Sequence, residues 1–349
     1  MSLKEIAKKA GVSVSTVSRV LNNPDYHCAK EGIRDKVWQA AVELNYSPNV
    51  AARNLKLGLN EQAERTFYIN VIMTRMDEAS SDPFFTEVLH SVESQIHNNM
   101  CILSKIWYIS AFSDDKKCRS MNIKETVDKL YMEADGKSDG LVIIGKCNVE
   151  VLKALHKKYK NVVSVNRNST NYEVDEVLCD GSKIAKMATE YLVKLGHTRI
   201  GYVGECHNEA RYKGFLSVLQ KYELDIDPDY IIETKQTEAE GYEAMKVFST
   251  MSDGPSAIYS ANDITAIGML KYRKSKKNNY YKPAIIASDD IEQAQYTDPM
   301  LSTVRLPKDE MGKFAITLLI DRMRGGHEST TRIELEGKLV IRDSCEKDY

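Results

Sequence analysis

The stretch Ala10-Gly-Val-Ser-Val-Ser-Thr-Val-Ser-Arg-Val-Leu-Asn22 decides how the chain is read. Gly11 interrupts a helical pattern that begins at Ser2, an N-cap candidate with Glu5 at capping-box spacing, and runs through Leu3, Ile6, Ala7 and Ala10. Ser13 can cap a second helix, with Val14, Val17, Val20 and Leu21 on one side and Asn22, Asn23 and Pro24 closing it. A third helix follows, with Ile33, Val37, Ala40, Ala41 and Leu44 as its apolar stripe. Two short helices joined by a Gly-containing turn make a helix-turn-helix unit. The outer face of the second helix carries Ser13, Ser15, Thr16, Ser18, Arg19 and Asn22, where a solvated face would carry Lys and Glu pairs. Short hydrogen-bonding side chains and one Arg suit a major groove, with its phosphate oxygens and base edges. A helix that is merely serine-rich is the plain alternative.

Charge leans the same way. Residues 1–58 hold nine Lys/Arg and five Asp/Glu, a net of +4, and the remainder holds 39 against 45, a net of -6. A basic head on an acidic body suggests a polyanion partner for the head.

Beyond the head, the short segment 49–57 after Pro48 is marginal as an independent helix, and the polar residues 61–65 read as a linker. From Phe67 the rhythm is strand, helix, strand, helix. Strands are predicted at 67–73, 102–109, 140–144, 162–165, 199–203, 257–260 and 284–288, and helices at 84–98, 123–134, 149–158, 184–195, 209–222, 238–250 and 264–275. Short apolar runs alternating with helices mean parallel sheets, and this length exceeds one compact sheet, so two α/β lobes are expected.

The chain has 349 residues, 42% hydrophobic and 28% charged, which fits a globular protein of two or three domains. No run approaches the roughly 20 apolar residues of a membrane span, and the start lacks a signal-peptide core, so a cytoplasmic location is expected. Seven scattered cysteines with no CxxC pair read as reduced thiols.

The common catalytic constellations are missing from the sequence. It contains no GxxxxGK[ST], GxSxG or HExxH, and Gly201-Tyr-Val-Gly204 has the wrong spacing for a dinucleotide loop. Asp289 and Asp290 follow a strand, where α/β ligand sites lie, but adjacent side chains diverge, which favours ligand contact over a shared proton. No enzyme activity, cofactor or metal is expected.

Specific residues then point to a family. Ala10 to Asn22, followed by Leu44-Asn-Tyr-Ser-Pro-Asn-Val-Ala-Ala-Arg53, resembles the N-terminus of the lactose/galactose repressor (LacI/GalR) family. The likeness continues through Asp82-Pro-Phe-Phe85, Tyr191-Leu-Val-Lys-Leu-Gly-His197, Ile200-Gly-Tyr-Val-Gly204, Arg211 before Gly214-Phe215, Ala261-Asn-Asp263, Pro299-Met-Leu-Ser-Thr-Val304, Met311-Gly312 and Leu339-Val-Ile-Arg-Asp-Ser-Cys345. The resemblance implies a helix-turn-helix head (1–46), a hinge helix and linker (47–61), and a periplasmic-binding-protein-like body with two parallel sheets. The first lobe would comprise 62–178 plus 307–328 and the second 179–306 plus 329–349, with crossings near 178, 306 and 328.

By the same resemblance, Val14, Ser15 and Arg19 read bases, while Ser13, Thr16 and Ser18 bind phosphate. Arg19 is the strongest base reader, with a phosphate contact as its alternative. Asn22, Asn49 and Ala52 complete the DNA set, and Leu55 matches the leucine that wedges a minor-groove step, or else is a buried linker residue. Gly32 and Ile33 depart from the family's usual capped start of the third helix.

Phe84, Asn166, Arg211, Asn262 and Asp289 match the family's effector contacts. Arg211 and Asp289 would serve neighbouring hydroxyls as donor and acceptor, or form an interlobe salt bridge, and Phe84 and Phe85 would line the cleft or belong to the core. Gln236 stands where sugar-binding members often place an aromatic ring. The polar quartet argues against a purine, for which more aromatic sandwiching is expected. The implied function is a repressor of a carbohydrate-utilisation operon, released by a sugar such as a galactoside bound between the lobes. The alternative is a corepressor- or phosphocarrier-dependent regulator taking a nucleobase or sugar phosphate. The implied partners are double-stranded operator DNA, a small-molecule effector and a second copy of the chain. The end at Glu-Lys-Asp-Tyr349 offers no heptads for tetramers, so a homodimer is the expectation.

Overall fold

The computed structural model describes residues 3–22, 32–43, 66–75, 82–276 and 281–345. The chain divides into two compact units, Met1–Arg65 and Thr66–Tyr349. The hinge segment, with Asn49, Ala52 and Leu55, lies outside the described residues.

In the head, α1 (Leu3–Ala10), α2 (Val14–Asn22) and α3 (Ile33–Glu43) enclose a small core of Ile6, Ala7, Val17, Val20, Leu21, Val37, Ala40 and Ala41. Gly11 sits at φ +66°, and the Val12 amide donates back to the Ala7 carbonyl at 3.0 Å. That is a left-handed helix stop, which glycine adopts without a Cβ penalty. Ser13 caps α2, its Oγ accepting from the Thr16 amide at 3.1 Å. One expectation is corrected: Val14 is 41% exposed and leaves the apolar side of α2 to Val17, Val20 and Leu21. At 100° per residue, positions 14, 15, 18 and 19 span an arc of about 140° facing away from that core. α3 begins at Ile33, which packs against the core, and the Gly32 carbonyl accepts from the Lys36 amide at 3.2 Å.

The body holds two six-stranded sheets. The first contains β1 (Tyr68–Met73), β2 (Ile102–Tyr108), β3 (Gly140–Ile144), β4 (Val162–Asn166), β5 (Asp175–Leu178) and β11 (Arg332–Glu334), in the order β11-β5-β4-β3-β1-β2. The second contains β6 (Ile200–Gly204), β7 (Ile231–Glu233), β8 (Ala257–Ser260), β9 (Ala284–Asp289), β10 (Ser302–Arg305) and β12 (Lys338–Val340), in the order β12-β10-β9-β8-β6-β7. All neighbours are parallel except β10 and β12. The first sheet is buried on both faces: Ile69, Val71 and Met73 enter one cluster while Ile72 enters another with Leu141, Ile143 and Leu152. Crossover helices cover both sides of such a sheet, so its strands read as continuous apolar runs.

The helices of the body are α4 (Pro83–Asn98), α5 (Asp115–Ser120), α6 (Ile123–Glu133), α7 (Val149–Lys158), α8 (Gly181–Lys194), α9 (Ala210–Lys221), α10 (Glu238–Ser249), α11 (Asp263–Ser275) and α12 (Lys308–Met323). The sequence reading does not anticipate α12. Its buried Met311, Ala315, Ile316, Leu318, Leu319 and Ile320 spread over about 200° of the helix, wider than one stripe, and leave Lys313, Thr317 and Asp321 exposed. The passage expected near residue 328 is also corrected. Arg332–Glu334 pairs in parallel with β5, so the chain leaves the first sheet only after Glu334 and joins the second at Lys338.

Candidate functional site

On α2, Val14, Ser15 and Arg19 are exposed, as is Ser13, while Thr16 and Ser18 are half-buried. The Ser13 hydroxyl lies 2.8 Å from those of Ser15 and Thr16, which ties three of the candidate DNA contacts into one hydrogen-bonded cluster at the start of the helix. Asn22 closes α2.

In the body, the candidate residues gather at the carboxyl ends of strands, where open α/β sheets place their ligands. Asn166 ends β4, and its Oδ1 accepts from the Arg167 amide at 2.7 Å. Asp289 ends β9. Asn262 caps α11, accepting from the Thr265 amide at 3.2 Å, while its Nδ2 donates to the Gln236 carbonyl at 3.2 Å. Phe84 enters through local chemistry: Asp82 caps α4, Pro83 takes its first turn, and Phe84 and Phe85 follow with their rings edge to face at 5.0 Å.

Arg211 is almost fully buried and spends its donors inside the second lobe. Nε donates to Glu209 at 2.7 Å, Nη1 to the Ala261 carbonyl at 2.6 Å and Nη2 to Gln236 Oε1 at 3.0 Å. Burial would raise the Glu209 carboxyl, but the adjacent guanidinium holds it down at about 2. The salt bridge between Arg211 and Asp289, the alternative to their serving a ligand, is not formed: the carboxylate beside Arg211 is Glu209, two residues away at the same helix start, and Asp289 pairs elsewhere.

That other partner is Arg167, which the sequence reading passed over. Its guanidinium donates to Asp289 from the opposite sheet, with both side chains at most 4% exposed. The same guanidinium lies 4.6 Å from the Phe84 ring centre and 5.2 Å from that of Phe85, a cation–π arrangement. Burial pushes the Asp289 carboxyl up to about 6, against the pull of Arg167. Asp290 turns away to Arg305 and Arg342, at 2.5 and 2.6 Å, which lower its carboxyl despite burial. The adjacent aspartates thus serve different partners. Asp289, Asp290 and Gln236 all have positive φ, at 130°, 51° and 65°. Of the three, Asp289 departs furthest from the conformations that non-glycine residues ordinarily adopt, and its buried surroundings hold it there. Gln236 is buried, and its Nε2 has no hydrogen-bond partner, a spare donor beside Arg211 and Asn262.

At the cleft mouth, Glu205 after β6 receives Arg75 at 2.9 Å and Lys146 at 2.6 Å, both from ends of the first sheet. Asn168 Oδ1 accepts from the Ala210 amide at 2.8 Å, and Asn208 donates to Asp115 at 3.2 Å. The two carboxyl edges thus face each other across a cleft closed by charged and polar pairs. Among the described residues no cluster of His, Cys, Asp and Glu could hold a metal ion, and no helix is long and apolar enough to cross a membrane.

Comparison with known proteins matches this architecture at both ends. The family "Bacterial regulatory proteins, lacI family" matches residues 2–49, and "Periplasmic binding protein-like domain" matches residues 189–345. The HTH-type transcriptional repressor PurR of Pasteurella multocida is 30% identical over 349 residues, covering 98% of each chain. That of Aliivibrio salmonicida is 29% identical over 359 residues, covering 99% of each. In fold, the chain resembles the CelR–cellobiose complex (TM-score 0.66) and the Lac repressor bound to ONPG in the repressed state (TM-score 0.65), each at 21% identity over 99% of both chains. These relatives are transcriptional regulators, not enzymes. Head, body and full-length relatives agree, and the chain belongs to the LacI family of bacterial regulatory proteins as a DNA-binding repressor.

Proposed function

We propose that this protein is a homodimeric, cytoplasmic repressor controlled by a small molecule bound between its lobes, and that the effector is a nucleobase or a related planar ring bearing N–H donors. The observation that carries the ligand class is the Phe84–Asp289 pair. An aromatic face with a buried carboxylate at its edge holds a flat array of N–H donors, in this structure the Arg167 guanidinium. A nucleobase presents the same combination of a flat face and edge donors. The PurR name of the full-length relatives supports the same class. This replaces the sugar as the first expectation, because the aromatic face comes from the first lobe and not from position 236.

A sugar is the second reading. It is favoured by the second lobe's wholly polar contribution of Arg211, Gln236, Asn262 and Asp289, with a spare donor on Gln236 for a hydroxyl. The CelR neighbour holds cellobiose.

In the head, the exposure of Val14, Ser15 and Arg19 on one face supports their reading bases in a major groove, with Ser13, Thr16, Ser18 and Asn22 at phosphates. Asn49, Ala52 and Leu55 of the hinge would extend the contact into the minor groove. The effector acts by binding one lobe arrangement better than the other, and a coupling of about 1–3 kcal/mol changes operator affinity roughly 5–150-fold.

The test is calorimetric titration of the full-length protein with hypoxanthine, guanine, galactosides and cellobiose. Each ligand is then assayed for its effect on binding to an operator selected from random duplexes. Saturable binding of a base that shifts operator affinity is the expected result. Binding of a sugar alone gives the second reading, and binding of none overturns the cleft as an effector site.

A further inference from the structure

The residues that the resemblance assigns to the effector are already engaged by a group of the chain's own. Arg167 follows β4, and its backbone is fixed on both sides: the amide by Asn166 Oδ1 and the carbonyl by the Gly181 amide at 2.9 Å. From there the side chain crosses to the other sheet, stacks on Phe84 and Phe85, and donates to Asp289. The backbone behind Asp289 is anchored as well, Lys308 Nζ donating to the Asp289 and Asp290 carbonyls at 3.3 and 2.9 Å. Both partners of the ion pair are thus held from behind, and the pair bridges the two lobes in the interior of the cleft.

We propose that Arg167 is a tethered occupant of the effector cleft, a built-in guanidinium that closes the lobes on itself and that an incoming effector must displace. This rests on the reading of the cleft as the effector site. A planar cation is attracted to the aromatic face and the carboxylate together, while removing Arg167 leaves Asp289 as a buried charge without its partner. The tether has two consequences. The body can reach the closed lobe arrangement without a diffusible ligand. Effector affinity is lowered by the fraction of molecules in which Arg167 holds the site, so the residue sets a threshold concentration for response. It also selects for ligands that offer Asp289 N–H donors in exchange for those they displace.

The experiment is chemical rescue of full-length Arg167→Ala with methylguanidinium chloride at millimolar concentration, with methylammonium chloride as the control. Expected are a lower melting temperature for the variant, its saturable recovery with methylguanidinium but not methylammonium, no such effect on wild type, and effector affinity tightened about tenfold or more. A merely structural arginine would be rescued in the same way, but its removal would not tighten effector affinity, so a folded variant that binds effector no more tightly than wild type overturns the proposal. A folded variant that ignores methylguanidinium, or that melts as wild type does, overturns the proposal. Should Arg167→Ala not fold, the double variant Arg167→Ala/Asp289→Asn carries no unpaired buried charge. Its solution scattering should then give a larger radius of gyration than wild type, and an unchanged radius overturns the proposal. If methylguanidinium rescues Arg167→Ala while neither protein binds a nucleobase, the tether stands and the nucleobase reading falls.

Discussion

Replacing Glu209 by Gln leaves the buried Arg211 guanidinium in place without its hydrogen-bonded carboxylate. The two residues are 1% exposed, and Glu209 supplies the only acidic acceptor among the three groups that Arg211 reaches directly; the others are the Ala261 carbonyl and the Gln236 amide. An arginine cannot shed its proton, so the charge stays buried. Breaking a buried pair in this way costs about 3–5 kcal/mol, and with roughly 2 °C lost per kcal/mol in a body of this size the melting temperature should fall by about 6–10 °C. The opposite substitution, Arg211→Met, should cost less, because Glu209 can take up a proton once its guanidinium is gone. Its cost should also shrink as pH is lowered from 8 to 5, a signature that Glu209→Gln lacks. The double variant should be more stable than the sum of the singles by about 1–3 kcal/mol. Urea unfolding at constant slope, read as midpoints for all four proteins, measures the cycle. A Glu209→Gln cost below about 1 kcal/mol, or additive singles, would refute the argument that this pair is held as a desolvated unit.

Arg19→Ala should weaken operator binding by about 1–3 kcal/mol per half-site while leaving the head's melting unchanged, because Arg19 is exposed on α2; titration of labelled duplex with parallel circular dichroism reads both. Burial, with Asp289 nearby, raises Asp263 to about 8. Its folded value lies above the unfolded value of about 3.9, so its contribution is complete at acid pH and is lost as pH rises toward 8. The depressed Glu209 acts oppositely, its contribution being lost as pH falls from about 4.5 toward 2. Melting scans of Asp263→Asn should therefore lack the decline that Asp263 gives wild type between about pH 4 and pH 8, and an identical decline would remove Asp263 as its cause. A Cβ at Gly241 would lie 2.0 Å from the Thr265 carbonyl oxygen across the α10–α11 contact. Gly241→Ala should destabilise by about 1–3 kcal/mol despite the better helix former, and a melting temperature at or above wild type would contradict that packing.

Much of the molecule is legible in local chemistry. Gly11 and Ser13 punctuate the head because a left-handed stop and a side-chain cap are decisions of three or four residues. The alternation of apolar runs and helices reports parallel sheets because both faces of each strand are covered. Asn262 and Asp289 are readable as candidate site residues because they sit where a helix starts and a strand ends. The three-residue strands β7, β11 and β12 escape such a reading, since three residues carry too little period to distinguish strand from loop, and β5 and β10 escape it as well. α12 escapes for the opposite reason, its apolar surface being wider than one stripe.

By itself the sequence determined the helix-turn-helix head, the mostly polar outer face of its second helix, the two-lobed α/β body and the elements that carry the polar cleft residues. All of these follow from periods, caps and breaks within a few residues. Only the tertiary structure decided which charges meet. Arg167 and Asp289 are 122 positions apart and belong to different sheets, and the third passage between lobes depends on β11 choosing β5 over the second sheet. A buried ion pair is chosen by what the fold brings within hydrogen-bonding distance, and neither residue's neighbours along the chain carry that distance.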